Sequence, residues 1–372
     1  MKLNKKHISR AIISGGGTGG HIFPAIAIAN EIKSRNTDAE ILFVGAIGKM
    51  EMSRVPDAGY EIIGLPISGF QRKLTLSNFL LPFKILISLL KARKVIKKFA
   101  PEIVIGVGGY ASGPTLKMAT LLGIPTVIQE QNSYPGKTNI ILSKKVNLIC
   151  AAYDGLGEFF PADKIKVTGN PVRKELSQQG ISKNEALNLF DLSLDKKTIL
   201  VLGGSLGAKT LNDSMLKMIH SEGQAACQFI WQCGKYYFEQ LKPEVEEKEL
   251  NNIRLVPFIS RMDAAYAAAD VIISRAGALS VSELCLVGKP VVLVPSPNVS
   301  EDHQTKNAMF LVGADAALLV KDSKCGDDLI KTAKSLVADS NLSAKLSKNI
   351  SDLAKPNATS DIVDESENII KK

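Results

Sequence analysis

The feature that most constrains the fold is a local layout that occurs twice. Residues 11–32 read AIISGGGTGGHIFPAIAIANEI and residues 199–219 read ILVLGGSLGAKTLNDSMLKMI. Each is an apolar run, then a glycine loop, then a segment with helical spacing. Glycine at such a junction lets the backbone turn tightly and come close to a ligand. Each layout heads a series of short apolar runs alternating with helical segments, the pattern of a parallel α/β domain. The first series predicts strands at Ser9–Ser14, Glu40–Val44, Ile103–Val107, Thr126–Gln129 and Leu148–Ala151. The second predicts them at Thr198–Leu202, Gln228–Gln232, Ile253–Val256, Val271–Ser274 and Val291–Val294. Gly169-Asn170-Pro171-Val172-Arg173 punctuates the chain between them as an interdomain linker would. A helical segment at Lys183–Phe190 leads into the second series, and a polar one at Ser360–Lys372 closes the chain. The expectation is an α/β chain of two Rossmann-like, doubly wound domains whose glycine loops flank one cleft.

Composition narrows the class. The chain has 372 residues, room for two domains at about 150 residues each. With 45% hydrophobic and 22% charged residues it is neither disordered nor fibrous. No apolar run reaches the ~18–20 residues that span a bilayer. Asn78–Leu90 comes nearest, and Lys84 interrupts it. The basic N-terminus runs into a strand and not into a signal core. The cysteines Cys150, Cys227, Cys233, Cys285 and Cys325 are scattered without a CxxC, so reduced thiols are expected and no metal site is. Net charge is +9, and +8 of it falls between Ile67 and Phe99, on Arg72, Lys73, Lys84, Lys91, Arg93, Lys94, Lys97 and Lys98. Interleaved with these are Phe79, Leu80, Leu81, Phe83, Ile85, Leu86, Ile87, Leu89 and Leu90. Aliphatic interleaving without a recognised motif argues against nucleic acid. An anionic membrane surface fits better, with much of the apolar group packing the core; a solvated helix face is the plainer alternative.

Gly15, Gly17 and Gly20 satisfy G-x-G-x-x-G after a strand, the dinucleotide-binding context. A nicotinamide site also needs a carboxylate at the end of the second strand, and Phe43-Val44-Gly45-Ala46 offers none. Thr18 and His21 instead give this loop polar side chains suited to a substrate. The second loop, Gly203–Ala208, sets main-chain amides and Ser205 at a helix start, a place for a diphosphate. It lacks the Lys-Ser/Thr ending of a P-loop. A third cluster, Gly106–Pro114, follows another strand of the first series.

The stretch Ile273-Ser274-Arg275-Ala276-Gly277-Ala278-Leu279-Ser280-Val281-Ser282-Glu283-Leu284 ends a strand and opens a helix, whose first amides and dipole can hold a diphosphate without a metal. Glu283, about one turn in, can accept hydrogen bonds from a ribose diol, or simply favour the helix dipole. A polar cluster, Ser300–Ala308, follows at a strand end. Together, GGGTGGHIFPAIAIA, VGGYASGP, QEQNSYPG, TGNPVR, GGSLGA, SRAGALSVSEL, GKPVVLVP and DHQTKNA occur in an order and spacing that resemble the MurG family of bacterial N-acetylglucosaminyltransferases along the whole chain.

The resemblance implies a GT-B fold, with an N-terminal acceptor and membrane-facing domain (1–170) to which a helix within 356–372 returns. A UDP-GlcNAc-binding domain (171–355) makes up the rest. It implies inverting transfer of GlcNAc from UDP-GlcNAc to the MurNAc 4-hydroxyl of lipid I, giving lipid II in peptidoglycan synthesis. The enzyme would work peripherally at the cytoplasmic face of the cell membrane, with other cell-wall synthesis proteins as partners. By motif, the donor contacts fall on Thr18, Gly19, Gly20, Asn132, Arg173, Ser205, Ile259, Ala278, Leu279, Ser280, Val281, Ser282, Glu283 and Gln304. Ile259 would meet uracil through its backbone, Glu283 the ribose and Gln304 the GlcNAc hydroxyls. Ser260-Arg261 departs from the acidic residues of some relatives.

A histidine titrates near neutral pH, so His21 is the candidate general base; capping the first helix or binding acceptor phosphate are its alternatives. The sequence has no D-x-D, so no metal or other cofactor is expected. The rival readings are another GT-B lipid glycosyltransferase of the diacylglycerol type and a UDP-GlcNAc 2-epimerase.

Overall fold

The structure is a computed structural model that describes residues 7–68, 81–172, 180–204, 206–222, 226–248 and 250–370. The chain divides into two compact units, Met1–Val172 with Asn357–Lys372, and Arg173–Pro356. In the first unit the elements run β1 (Arg10–Gly15), α1 (Gly19–Arg35), β2 (Glu40–Ala46), α2 (Glu51–Asp57), β3 (Glu61–Leu65), α3 (Leu81–Phe99), β4 (Ile103–Gly108), α4 (Ser112–Leu121), β5 (Thr126–Glu130), α5 (Lys137–Ser143), β6 (Leu148–Ala151) and β7 (Ile165–Val167). In the second they run α6 (Lys183–Leu189), β8 (Thr198–Leu202), α7 (Lys209–Glu222), β9 (Gln228–Gln232), α8 (Phe238–Glu246), β10 (Ile253–Val256), α9 (Met262–Ala268), β11 (Val271–Ser274), α10 (Ala278–Val287), β12 (Val291–Leu293), α11 (His303–Gly313), β13 (Leu318–Leu319), α12 (Cys325–Ala338) and α13 (Ser340–Asp352). Helix α14 (Ala358–Ile370) belongs to the first unit.

Among the described residues the first sheet has the order β3-β2-β1-β4-β5-β6-β7 and the second β10-β9-β8-β11-β12-β13. Both are parallel throughout. Every strand expected from the sequence forms, and three short ones join them at sheet edges: β3, β7 and β13. In β4 (IVIGVG) all residues are buried, as a strand covered on both faces requires. Ile13, Ile105 and Val127 pack on one face with Ile28 and Ile32 of α1 and with Ile362 and Val363 of α14. Ile12, Val104 and Ile128 pack on the other with Ala92, Val95 and Ile96 of α3 and Leu116 of α4. The helices after β1 and β4 therefore cover opposite faces, which puts the switch point between these two strands. The cysteines are free thiols, and burial pushes that of Cys285 up to about 12.

Helix α3 uses its core face sparingly. Its buried residues are Ser88, Ala92, Val95 and Ile96. Phe83, Ile85, Leu86, Ile87 and Leu90 are exposed, so much of the apolar group expected in the core lies outside it. The rest of that segment, including Arg72, Lys73, Phe79 and Leu80, lies outside the described residues. On the 3.6-residue period, Phe83, Leu86, Ile87 and Leu90 share the outward face with Lys91, Arg93, Lys94, Lys97 and Lys98.

Helix α14 is fastened to α1 by one guanidinium. Arg35 donates to Glu31 at 3.0 Å, to Asp364 at 2.8 Å, and to the Ser360 carbonyl and hydroxyl at 3.0 and 2.7 Å. His7 meets the buried Glu367 at 3.0 Å. Taking one partner out of a largely buried ionic cluster strands the others. Arg35→Met should therefore destabilise the first unit by about 2–4 kcal/mol in urea unfolding and speed hydrogen exchange in α14. Unchanged exchange there would show that apolar packing alone docks the helix.

Candidate active site

At the carboxyl end of the first sheet, β1 passes through Gly16 and Gly17 into α1, whose N-cap residue Thr18 makes no side-chain cap bond. The space beside Gly16 is taken by a carboxylate: a Cβ there would lie 2.1 Å from Cδ of Glu51. Glu51, the first residue of α2, is only 1% exposed. Its Oε2 accepts from Gly17 N–H at 2.7 Å and its Oε1 from Ala46 N–H at 2.9 Å. A carboxylate thus does reach the end of β2, where the strand's own residues supply none. Both of its oxygens are committed to main-chain amides, so it is a clasp on the glycine loop and not a ribose ligand.

His21 is the third residue of α1. Its Nδ1 lies 2.8 Å from Oε1 of Gln131, so its ring does not cap the helix. The ring rests on the glycine cluster after β4. A Cβ on Gly108 (φ +98°) would come within 2.7 Å of His21 Cε1, so only glycine serves there. Beyond β5, Glu130 organises the next loop, accepting from Asn132 N–H at 3.0 Å, Asn132 Nδ2 at 3.2 Å, Gly136 N–H at 3.2 Å and Asn139 Nδ2 at 2.7 Å. Thr18, Gly19, Gly20, His21 and Asn132 are therefore carried by segments that leave β1 and β5, next to the switch point between β1 and β4.

In the second unit, β11 exits through Arg275-Ala276-Gly277 into α10. Arg275 turns away from the helix, pairing with Asp322 and donating to the Val294 carbonyl at 3.2 Å. Helix α10 starts at Ala278 with no side-chain cap and no acid in its first turn. The positive end of its dipole thus stands at Ala278, Leu279 and Ser280. Val281 is fully buried and its N–H donates to the Gly277 carbonyl at 2.9 Å, which leaves it no group to offer a ligand. Ser282 bonds back to the Ala278 carbonyl at 3.1 Å. Glu283 is the sixth residue of the helix, past the turn where a dipole effect would explain it. The Tyr266 hydroxyl donates to its Oε2 at 3.4 Å. Ile259 is 4% exposed, so its side chain is buried in the second unit. Gln304 accepts from Ser296 N–H at 2.8 Å, which turns its NH2 into the group it can present. Arg261 is occupied by Asp263 at 2.8 Å. Arg173 and Ser205 lie outside the described residues.

Glu51, Gln131 and Tyr266 are the site residues that sequence reading missed. Only Gln131 carried a signal, its place in QEQN beside Asn132. Glu51→Ala would leave the buried Ala46 amide and the part-buried Gly17 amide without their acceptor, at a cost of about 1–3 kcal/mol in urea unfolding. It should also lower turnover by loosening the loop that carries His21. A variant as stable as the parent would show that water replaces the carboxylate.

The glycosyltransferase family 28 N-terminal domain matches residues 11–150 and its C-terminal domain residues 198–364. A UDP-N-acetylglucosamine--N-acetylmuramyl-(pentapeptide) pyrophosphoryl-undecaprenol N-acetylglucosamine transferase of Flavobacterium psychrophilum is 57% identical, over 95% of this chain and 96% of its own. One of the same description from Parabacteroides distasonis is 55% identical, over 98% and 99%. The crystal structure of Acinetobacter baumannii MurG is 31% identical, covers 97% of this chain and 99% of its own, and has a TM-score of 0.80. A UDP-GlcNAc 2-epimerase from Neisseria meningitidis, 17% identical with a TM-score of 0.66 over 98% of this chain and 100% of its own, shares the fold alone. By identity sustained along nearly the whole of both chains, this protein belongs to the MurG family of glycosyltransferases.

Proposed function

We propose that the protein transfers GlcNAc from UDP-GlcNAc to the MurNAc 4-hydroxyl of undecaprenyl-diphosphate-linked MurNAc-pentapeptide, with inversion at the anomeric carbon. The observation that carries this reading is that relatives more than half identical along almost their whole length are named for that one transfer. Inversion is a single in-line displacement. The acceptor oxygen bonds to C1 while its proton passes to His21, and the C1–oxygen bond to UDP breaks with its electron pair going to the β-phosphate. The departing charge falls to the amides at the start of α10, whose first turn carries no acidic residue to repel it. Glu283 accepts from the ribose diol, the Ile259 backbone meets uracil, and the Gln304 NH2 donates to a sugar hydroxyl. Arg173 and Ser205 add contacts to the diphosphate. With the α10 dipole in place of a cation, turnover proceeds without added metal.

Labelled GlcNAc transfer to a lipid I analogue, with a MurNAc-lacking glycolipid as control, tests the reaction. His21→Ala should lower kcat by roughly 10²–10⁴ and leave UDP affinity intact. Glu283→Ala should weaken UDP-GlcNAc binding by about 1–3 kcal/mol. Transfer to the control glycolipid alone, or release of ManNAc derivatives without acceptor, would replace the reading with one of the rival chemistries.

The acceptor's polyprenyl chain requires the enzyme to reach a membrane, and the outward face of α3 supports docking on the inner leaflet. Among the described residues no helix is long and apolar enough to cross a bilayer. The α3 face is apolar over its first turns and basic over its last. Near anionic lipid each Lys or Arg contributes about 1 kcal/mol, decaying within a Debye length. Liposome flotation should show binding that needs anionic lipid, falls as salt rises, and drops when Lys91, Lys94 and Lys97 become glutamate. Equal binding to neutral vesicles would leave the electrostatic part without support.

A further inference from the structure

Behind His21 runs a buried chain of amides that the transfer chemistry above does not use. Gln129, Gln131 and Asn170 are 0%, 1% and 2% exposed. An amide can be turned either way about its axis, so its orientation must come from what surrounds it. Here main-chain carbonyls, which only accept, pin both ends. At the far end Asn170 Nδ2 donates to the Gln131 carbonyl at 2.9 Å, so Asn170 Oδ1 faces Gln129. Gln129 Nε2 donates to that oxygen at 3.0 Å, which turns Gln129 Oε1 toward Gln131. At the near end Gln131 Nε2 lies 2.8 Å from the Val107 carbonyl and 2.9 Å from the Gln129 carbonyl, and it also meets Gln129 Oε1. Flipping Gln131 would set its oxygen against three acceptors. Its Oε1 therefore has one place to point, toward His21 Nδ1 at 2.8 Å.

We propose that Gln131 is a positioning residue that fixes the tautomer of His21. An oxygen with no hydrogen can only accept, so the proton of the neutral ring sits on Nδ1, the minor position for a free histidine side chain, and Nε2 carries the lone pair. Among the described residues Nε2 has no protein partner, and the ring lies against Gly108. Gln131 thus selects which nitrogen is the base and where it points, as an acceptor behind a catalytic imidazole does in other folds. It does so through a neutral amide, setting direction without adding charge. Asn170 and Gln129 extend the control back to main chain, so three sequence motifs, GGGTGGH, QEQN and TGNPVR, meet in one hydrogen-bonded unit. The catalytic meaning of this tautomer rests on His21 being the base; the tautomer itself does not.

The test is side-chain nitrogen NMR on protein labelled with 15N-histidine. The chain has four histidines, and the His21→Asn variant assigns the resonances of His21. At a pH where the ring is neutral, the unmodified protein should show a protonated Nδ1 and an unprotonated Nε2. The reverse pattern overturns the proposal and needs no variant that must fold. Gln131→Leu, which removes the acceptor, should give mixed tautomers and lower kcat roughly ten- to a hundredfold at unchanged KM for UDP-GlcNAc, short of the loss on removing the base. A variant that keeps the Nδ1–H signal and the parent kcat also overturns it. Turnover retained by His21→Asn would instead remove the base from the proposed reaction while the spectra still decide the tautomer.

Discussion

A strand that turns straight into a helix leaves main-chain amides pointing out of the turn, and buried amides must find acceptors. The two units meet this constraint in opposite ways. In the first, the Glu51 carboxylate accepts from Gly17 and from Ala46, so the glycine loop is satisfied from within. In the second, α10 opens with neither a capping side chain nor an acidic first turn. The glycine loop thus has a carboxylate on one of its amides, whereas the first turn of α10 carries no acidic residue. The first of these turns opens the layout at residues 11–32 that the sequence repeats at 199–219; the second is the separate turn from β11 into α10.

The sequence made the central strands legible because burial on both faces writes a continuous apolar run. Ile103–Gly108 and Thr198–Leu202 could hardly be anything else once flanked by glycine. The edge strands were not legible for the same reason in reverse. Ile165–Val167 has three residues with an exposed lysine in the middle, and Leu318–Leu319 has two, too few for any period to show. The candidate site divides along a similar line. His21, Glu283 and Gln304 stand in recognisable stretches, whereas the residues that orient His21 are distant in sequence. His21 and Gln131 are 110 positions apart, and Gln129 and Asn170 are 41. Asn170 reads as linker punctuation beside a proline, yet it is buried and anchors the amide chain. Val281 sits in a motif that resembles a binding stretch, yet helical periodicity sends it into the core.

Helix α3 shows how a composition signal can be right in sign and wrong in placement. Eight basic residues and a run of aliphatic ones suggest an amphipathic segment, and the natural assumption is that the aliphatic ones go inward. Small residues take that place instead: Ser88 and Ala92 are buried on the inner face, together with Val95 and Ile96. The larger side chains are left on the outside, where only an apolar partner would favour them.

The return of α14 to the first unit has a consequence for how the chain is made. Ile362 and Val363 complete the core around β1 and α1, but they are synthesised after the whole of the second unit. Strands β1 to β7 must therefore wait on the ribosome with part of one sheet face, beside α1, uncovered while Arg173–Pro356 emerges and closes on itself. The later part of the chain is finished before the earlier one. The exposed stripe that α14 will cover is then a period of vulnerability, in which chaperone capture or aggregation competes with the last thirteen-residue helix to arrive.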